Sequence, residues 1–253
     1  MSTLSVILIT KNEAHDLAEC LRSVSWANEI IVCDSGSTDA TLDIARQFTD
    51  KVFSTDWPGF GPQKNRALAK ATGDWVLSID ADERVTPELQ DEIKQALASS
   101  EPAIAYSIPR HSLYCGHKIR FGDWRDDRVT RLFQRGKAQF CNSLVHESLQ
   151  VEGPIAALKA PLIHHAFKDL HEVLAKIDQY STLGAQHHHQ KGKSGSLTQA
   201  LTHSLWTFIR GYILRLGFLD GKAGFQLAVS NAEGCYYRYL KLSAINRKLD
   251  TAP

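Results

Sequence analysis

The sequence predicts an α/β protein with a mostly parallel sheet flanked by helices, followed by a C-terminal helical extension. Short and nearly all-apolar runs alternate with helical patterns over the first hundred residues. Such runs are typical of strands buried on both faces, and their alternation with helices indicates right-handed crossovers. The 253 residues, 43% of them hydrophobic, are sufficient for one large domain of this class.

The first half of the chain shows this alternation most clearly. Strands are predicted over residues 4–10, 29–34, 52–53 and 75–80. Leu17, Leu21 and Val24 place an apolar face on a helix after the first strand, and residues 63–71 predict another helix. Pro87 opens a helix to about Ser99, because proline is favoured in the first helical turn.

The second half is less regular. Further strands are predicted over residues 103–109, 131–133, 138–140, 145–147 and 161–164, with a hairpin turn at Arg135 and Gly136 and a long polar loop over 111–127. Residues 186–196 are rich in Gly, Ser, His and Lys, which indicates a linker. The tract His187–His189 within it predicts a solvated loop more than a metal site.

Composition narrows the class of protein. The formal net charge of +1 gives no basis for a nucleic-acid partner, and none is expected. The five cysteines are scattered without a CxxC spacing, which argues against a disulfide framework or a zinc site. The N-terminal apolar run is too short for a signal sequence, and no stretch approaches the roughly 20 apolar residues that span a bilayer. We therefore expect a cytoplasmic location.

Asp80, Ala81 and Asp82 follow the fourth predicted strand. Ligands of parallel sheets bind at the carboxyl ends of the strands, where this tripeptide lies. Carboxylate oxygens are the ligands that hard divalent cations prefer, and a cation held there can neutralise a departing diphosphate. The pattern predicts a Mg²⁺ or Mn²⁺ site for a diphosphate, with a capping loop ahead of Pro87 as the alternative.

Polar residues also follow the first two strands. Asp34 can hydrogen-bond a base or a ribose, whereas the residues after Ser35 have turn and cap chemistry as their better explanation. The backbone of 10–13 can approach a nucleotide and Lys11 can meet phosphate; alternatively, Asn12 caps the next helix and Lys11 is solvated.

Lys64 and Arg66 lie at a glycine-containing helix start that could hold a diphosphate or a base, although a solvated basic helix explains them equally well. The candidate donor-binding residues are Thr10, Lys11, Asn12, Glu13, Asp34, Ser35, Lys64, Arg66, Asp80, Ala81 and Asp82.

Taken together, the runs Ile9 to Glu13, Val32 to Asp39 and Ser78 to Glu83 resemble glycosyltransferase family 2, which has the GT-A fold. The resemblance implies a nucleotide-sugar donor, usually a UDP-sugar, a divalent metal and inversion at the anomeric carbon. One position departs from the pattern. Many members have Asp-Asp-Gly-Ser where this chain has Asp34-Ser35-Gly36-Ser37, so any role of the second carboxylate is absent or supplied elsewhere.

The second half is similar to the bacterial lipopolysaccharide-core β-1,4-glucosyltransferase subgroup. The similarity rests on residues 124–127, 131–133, 145–147, 162–164 and 217–221. It implies UDP-glucose as donor and an inner-core heptose, carried on a glycolipid, as acceptor. Residues 1–185 then form the catalytic domain, with a nucleotide-binding half of about 1–100 and an acceptor-side half of 101–185. The linker 186–196 and a basic amphipathic extension, 197–253, follow.

Single-step inversion requires a general base that is not a metal ligand. Glu147 and Asp127 are equally good candidates, and the alternative for each is a surface carboxylate or an ion pair with Arg125, Arg128 or Arg131. His164 ends an apolar strand and could be a third metal ligand beside Asp80 and Asp82, although a lone histidine there is more often structural.

The C-terminal extension is basic and amphipathic. Residues 191–248 include nine lysines and arginines but only two acidic residues, Asp220 and Glu233. Apolar residues recur at helical spacing over 205–216. This pattern is typical of segments that lie on anionic lipid, and it predicts peripheral attachment at the inner face of the plasma membrane. Packing of the apolar stripe on the catalytic domain is the alternative.

Two other classes compete with a glycosyltransferase. A metal-dependent phosphohydrolase or nucleotidyltransferase could use the same Asp-x-Asp, but haloacid-dehalogenase phosphatases place theirs after the first strand, which here ends in Thr10-Lys11. A non-catalytic nucleotide-sugar or lipid-binding protein would bind nucleotide without turnover.

Overall fold

The computed structural model describes residues 2–100, 102–141 and 148–250, and the side chains up to 247. Contacts divide the chain into two compact units. Unit 1 comprises Met1–His111 and Asp127–His164, and unit 2 comprises Ser112–Asp126 and His165–Pro253. This division differs from the predicted boundary at residue 185, because the helices that precede and follow the predicted linker pack together in unit 2.

The described residues form twelve strands and seven α-helices. The strands are β1 (Leu4–Thr10), β2 (Glu29–Asp34), β3 (Val52–Ser54), β4 (Trp75–Ser78), β5 (Glu83–Val85), β6 (Ala105–Tyr114), β7 (His117–Lys118), β8 (Arg128–Gln134), β9 (Ala138–Phe140), β10 (Leu149–Val151), β11 (Ile155–Ala157) and β12 (Leu162–Phe167). The helices are α1 (Leu17–Ser23), α2 (Thr41–Arg46), α3 (Phe60–Leu68), α4 (Pro87–Ala98), α5 (Leu170–Gln190), α6 (Leu197–Phe208) and α7 (Gly221–Asp250).

The sheet of unit 1 begins as the predicted parallel sheet, in the order β3-β2-β1-β4. Strand β8 then adds antiparallel to β4, and β6 adds antiparallel to β8. The register pairs Thr10 with Asp34, so the carboxyl ends of β1 and β2 lie side by side. Ile7 pairs with Ser78, which brings the end of β4 to the same edge.

Apolar side chains cover both faces of this sheet, as the unbroken apolar runs predict. On one face, Val6 and Leu8 pack in a cluster with Leu17 and Leu21 of α1. On the other face, Ile7 belongs to a second cluster, which includes residues of β2, β4 and α3. The sheet is therefore a buried and rigid platform for the loops at its carboxyl edge.

The predicted hairpin between β8 and β9 is wrong. The turn itself forms, with Gly136 at φ +81°. Strand β9 pairs antiparallel with β10, and Gln139 lies opposite Gln150. Both edges of β8 are already occupied by β4 and β6, so β8 has no edge left for β9. The strand predicted over 145–147 lies outside the described residues.

The long helices α5, α6 and α7 pack together in unit 2. Helix α5 continues to Gln190, so His187–His189 lie in its last turn and not in a loop. After α6 the chain forms a π-helical turn, Ile209–Leu214, and a 3₁₀ turn, Gly217–Asp220. Among the described residues, no helix combines the length and apolar character needed to cross a bilayer.

These turns interrupt the predicted apolar stripe over 205–216. Tyr212 packs against Phe225 of α7, with ring centroids 5.5 Å apart, whereas Leu205 and Ile213 are exposed. Gly224 allows the chain to fold back on itself here, because a Cβ at that position would lie 1.9 Å from the carbonyl oxygen of Gly217. Part of the stripe therefore packs within unit 2 and part of it faces solvent.

Candidate active site at the strand ends

A closed turn follows β4 and carries Asp80 and Asp82. The backbone N–H of Glu83 donates to the Asp80 carbonyl oxygen (3.0 Å), and the N–H of Asp80 donates to Glu83 Oε2 (3.0 Å). Arg84 also donates to the Ala81 carbonyl oxygen (2.8 Å). Because backbone and side chains both close the turn, it holds the two aspartates in fixed orientations.

Both carboxylate oxygens of Asp80 are ion-paired. Lys64 Nζ lies 2.8 Å from Oδ1, and the Arg131 guanidinium bonds Oδ2. The Lys64 and Arg131 side chains are only 2% and 8% exposed. Burial opposes ionisation of Asp80, but the charges of Arg131 and Lys64 outweigh it and hold its pKa well below the usual range. Asp80 is thereby an anchor of the turn, and Lys64 is its buried counter-ion.

Asp82 differs from Asp80 in its surroundings. The two side chains are similarly exposed, at 27% for Asp82 and 34% for Asp80, but Oδ2 of Asp82 lies 3.4 Å from Nε2 of His164 and, among the described residues, not beside a lysine or arginine. Strand β12 pairs antiparallel with β5 and sets His164 opposite Glu83, the residue after Asp82. The sheet register therefore brings the two side chains together, as required if both are to bind one cation.

No third acidic, histidine or cysteine side chain completes such a site within the described part of the chain. The oxygens of Asp80 are directed at cationic side chains, so the structure favours Asp82 and His164 as metal ligands, and the trio with Asp80 stays a prediction. A Mg²⁺ ion commonly takes only one or two protein carboxylates and completes its shell with substrate phosphates and water.

The end of β2 is organised by Asp34. Its carboxylate is fully buried and accepts hydrogen bonds from Thr10 Oγ1 (3.0 Å), Gly36 N (2.9 Å) and Ser37 N (2.8 Å). The side chain therefore shapes the turn, and the predicted ligand contact would require that turn to open. Thr10 is likewise buried and directed at Asp34.

The loop after β1 is fastened to the same turn. Asn12, at φ +57°, accepts a hydrogen bond from the Thr38 N–H at its Oδ1 (2.8 Å). The N–H of Glu13 donates to Thr41 Oγ1 (2.8 Å). Asn12 thus joins two loops and does not cap α1, whose N-cap residue is Asp16. Lys11 between these anchors is exposed, so its ammonium group is accessible to an anion.

Gln63 is a buried polar residue that the sequence analysis missed. Its Nε2 donates to Ser35 Oγ (2.9 Å) and to Thr55 Oγ1 (2.6 Å). Where the family pattern that this sequence resembles has a second carboxylate, this chain has Ser35, a neutral hydrogen-bonded group. Arg66 donates to Asp56 Oδ1 (2.8 Å) and to Gln63 Oε1 (3.3 Å).

Asp127 is held by Arg110. The Nε of Arg110 donates to Asp127 Oδ2 (2.7 Å), and its backbone N–H donates to the Asp127 carbonyl oxygen (2.8 Å). This partner is none of the three arginines predicted. Arg110 also lies 3.6 Å from Oε1 of Glu83, which accepts from Arg131 (2.8 Å). A continuous series of ion pairs thus links Asp127 to the turn after β4. Glu147, the other candidate base, lies outside the described residues.

The strand-end loops and the turn after β4 lie within a segment that matches a known protein family. The sequence model described as glycosyl transferase family 2 matches residues 5–147, more than half of the chain. The chain belongs to glycosyltransferase family 2.

Two relatives match this family 2 protein over nearly its full length. An uncharacterized glycosyltransferase of Rickettsia felis is 31% identical, with 98% of this chain and 91% of the relative covered. The lipopolysaccharide core biosynthesis glycosyltransferase LpsC of Rhizobium meliloti is 29% identical, with 97% and 92% covered. The chain is therefore a glycosyltransferase.

A solved structure gives the fold. The crystal structure of S. aureus TarS 1-349 matches with a TM-score of 0.50 at 16% identity, covering 97% of this chain and 92% of that one. Identity at this level bears on the fold alone. The prediction of a GT-A fold with a C-terminal helical region is confirmed.

Proposed function

We propose that this family 2 protein is an inverting, metal-assisted glycosyltransferase that transfers glucose from UDP-glucose to a lipopolysaccharide inner-core or related glycolipid acceptor. The observation that carries the proposal is the unequal environment of the two aspartates after β4. Lys64 and Arg131 pair with both oxygens of Asp80, whereas Oδ2 of Asp82 lies beside His164, and the two aspartate side chains are similarly exposed, at 34% and 27%. The likeness to LpsC supports an acceptor of this class.

The residues present suit a divalent metal. A carboxylate oxygen of Asp82, on a turn that hydrogen bonds hold closed, lies 3.4 Å from a ring nitrogen of His164 on β12. Such oxygen and nitrogen donors suit Mn²⁺ or Mg²⁺, with donor phosphate oxygens and water as further ligands. When bound, the metal would act as a Lewis acid that stabilises the departing diphosphate. The chain would orient Asp82 through the hydrogen-bonded turn and His164 through the pairing of β12 with β5.

Donor recognition falls to the two joined loops. The backbone of residues 10–13, together with the exposed Lys11, offers N–H groups and a cation to nucleotide and phosphate oxygens. Ser35 and Gln63 would serve the base or ribose with neutral groups at the position of the missing carboxylate. Donor binding would depend only indirectly on Asp34, Thr10 and Lys64, which hold these loops and the turn after β4 in shape.

The general base is proposed to be Asp127 or Glu147. It takes the proton from the acceptor hydroxyl as that oxygen bonds the anomeric carbon and the bond to the diphosphate breaks. Asp127 is 30% exposed and engages Arg110 through Oδ2. We expect one of Asp127→Asn and Glu147→Gln to retain donor binding and to lower turnover at least ~100-fold. Normal turnover in both variants would place the base elsewhere.

The donor is tested by a thermal-shift screen of the full chain with Mn²⁺ or Mg²⁺ and UDP, GDP, CMP or dTDP sugars. A ligand that binds the native state raises the melting temperature, so UDP-glucose with metal should give the largest shift. A radiolabelled transfer assay with a glycolipid acceptor follows. Nucleotide binding without transfer to any acceptor would favour a non-catalytic binding protein and overturn the proposal.

Membrane attachment is proposed for the C-terminal extension, 197–253. Leu197, Leu201 and Leu205 recur every fourth residue on α6 and are 57%, 53% and 61% exposed. Basic Arg215 and Lys222 are exposed in the same unit. This combination of apolar face and positive charge suits an anionic lipid surface, at which a lipid-linked glycan acceptor would be reached from the cytoplasm.

Flotation of the full chain with phosphatidylglycerol vesicles tests this attachment. We expect salt-sensitive binding that weakens at least ~tenfold in the double variant Leu201→Glu/Leu205→Glu, because charge removes the apolar contribution. Ile155→Glu, which changes an exposed apolar residue of unit 1, is the matched control. Equal binding of all three proteins, or none by the parent chain, would refute the attachment.

A further inference from the structure

Unit 2 contains a cavity of about 670 Å³ whose lining residues all belong to that unit. It lies among α5, α7, the π-helical turn and the 3₁₀ turn at Gly122–Trp124. A cavity of this size can hold a ligand of one or two sugar residues. We propose that this cavity, here called the basic pocket, binds a saccharide that carries a phosphate or carboxylate group.

The charge of the basic pocket favours an anion. Arg210, Arg215 and Arg238 line it, and Asp123 is the only acidic residue among its lining. Asp123 is shared between Arg210 (3.2 Å) and Arg215 (3.0 Å). Lys176 also lines the cavity but forms an ion pair with Glu172 on the same helix (3.2 Å). The lining therefore carries three guanidinium groups and one carboxylate, which is an excess of positive charge.

Two donors of these arginines have no acceptor. The Nε atoms of Arg210 and Arg238 are buried, and neither has a hydrogen-bond partner among the described residues. A buried N–H without an acceptor is unfavourable by about 1–3 kcal/mol. The planar fork of a guanidinium group matches the paired oxygens of a carboxylate or phosphate. Because these Nε atoms are themselves enclosed, an anion in the basic pocket would be bound by the accessible terminal N–H groups of Arg210 and Arg215, whose side chains are 41% and 50% exposed.

The remaining lining suits a sugar ring. Trp124 and Phe167 stack with ring centroids 5.9 Å apart, and Tyr180, which is 58% exposed, also lines the cavity. Ser230 and Asn231 add neutral hydrogen-bonding groups. Aromatic faces with a few placed polar groups are typical of sites that orient a small ligand. Together with the arginines they favour an anionic saccharide over a bare anion.

The role of the bound saccharide rests on the proposed function: if the chain transfers a sugar, this saccharide is part of the acceptor. Calorimetric titration of the full chain with glucose 6-phosphate tests the binding itself, with glucose and inorganic phosphate as comparison ligands. We expect saturable binding of glucose 6-phosphate, and binding of glucose and of phosphate at least ~tenfold weaker.

Variants locate the site. Arg238→Gln and Arg210→Gln should each weaken glucose 6-phosphate binding at least ~tenfold, and Arg238→Lys should recover only part of it, because lysine lacks the planar fork. Lys222→Gln, an exposed basic change outside the lining, is the control for net charge. Circular dichroism and melting temperatures verify that each variant is folded.

These binding measurements distinguish a failure of the basic pocket from a failure of the proposed donor site. Wild-type affinity in Arg238→Gln and Arg210→Gln, or equal affinity for inorganic phosphate, would overturn the proposal. Affinity for UDP with Mn²⁺ should be the same in Arg238→Gln and the parent chain. If UDP-sugars fail to bind while glucose 6-phosphate binds in an Arg238-dependent way, the proposed function fails and the basic pocket stands.

Discussion

The turn after β4 in unit 1 and the basic pocket in unit 2 are both clusters of arginines and carboxylates, but their balance differs. In the turn, Asp80 is 34% exposed and pairs with Lys64 and Arg131, whose side chains are almost completely buried. In the basic pocket, the side chains of Arg210 and Arg215 are 41% and 50% exposed and share a single carboxylate. A balanced cluster with buried cations fixes a loop, whereas a cluster with an excess of accessible cations is suited to binding.

The largest expected effect is that of Asp80→Asn. The substitution removes the carboxylate that the buried Lys64 and Arg131 share, and Arg131 keeps Glu83. Because the Asp80 side chain is itself 34% exposed, we expect a loss of about 2–3 kcal/mol, at or below the loss of about 3–5 kcal/mol for a fully buried pair. Chemical denaturation at neutral pH measures this directly. A loss below about 1 kcal/mol would mean that Asp80 is not an anchor, and the contrast between the two clusters would then be incorrect.

Acid should weaken unit 1 through Glu29. Its carboxylate accepts hydrogen bonds from Ser5, Lys51, Thr72 and Gly73. Burial opposes ionisation, but these bonds lower the pKa of Glu29 from 4.5 to about 2. Since the folded pKa is the lower one, the stabilisation of about 3 kcal/mol is fully present above pH 4.5 and is lost as the pH falls towards 2.

Denaturation of the parent chain and Glu29→Gln at pH 6 and pH 3 tests this dependence. The difference in unfolding free energy between the two proteins should shrink by about 2 kcal/mol on acidification, because only the parent has this carboxylate. A difference that is constant with pH would show that Glu29 does not carry the effect.

Asp123→Asn should have the smallest effect on stability. The arginines that it pairs with are half-exposed, so the free energy of unfolding should fall by only about 1 kcal/mol. The basic pocket becomes more positive, and its affinity for glucose 6-phosphate should be unchanged or higher. A destabilisation as large as that of Asp80→Asn would make the two clusters equivalent.

The strand pattern was sufficient to place Asp80 and Asp82 at the carboxyl edge of the sheet. It could not distinguish them, because the partner that neutralises Asp80, Arg131, lies 51 residues further along the chain. Gln63 was missed for a similar reason, since its acceptors are Ser35 and Thr55 on other elements. Local periodicity identifies strands and helices, but it does not identify the long-range polar partners that assign a role to each carboxylate.

The pairing of β9 and the extent of α5 failed for a different physical reason. A turn at Gly136 is a local feature, but whether its flanking strands pair depends on which edges the rest of the sheet leaves open. The Gly- and His-rich composition of 186–196 favours a loop, yet packing of α5 against α7 extends the helix to Gln190.

The central claim is that Asp82, and not Asp80, offers its carboxylate to the metal and diphosphate. Calorimetric titration of UDP with Mn²⁺ into the parent chain and Asp82→Asn tests it most directly, with melting temperatures measured in parallel. We expect Asp82→Asn to melt within a few degrees of the parent and to lose metal-dependent UDP binding at least ~100-fold. Metal-dependent UDP binding of parental affinity in a folded Asp82→Asn protein would contradict the claim.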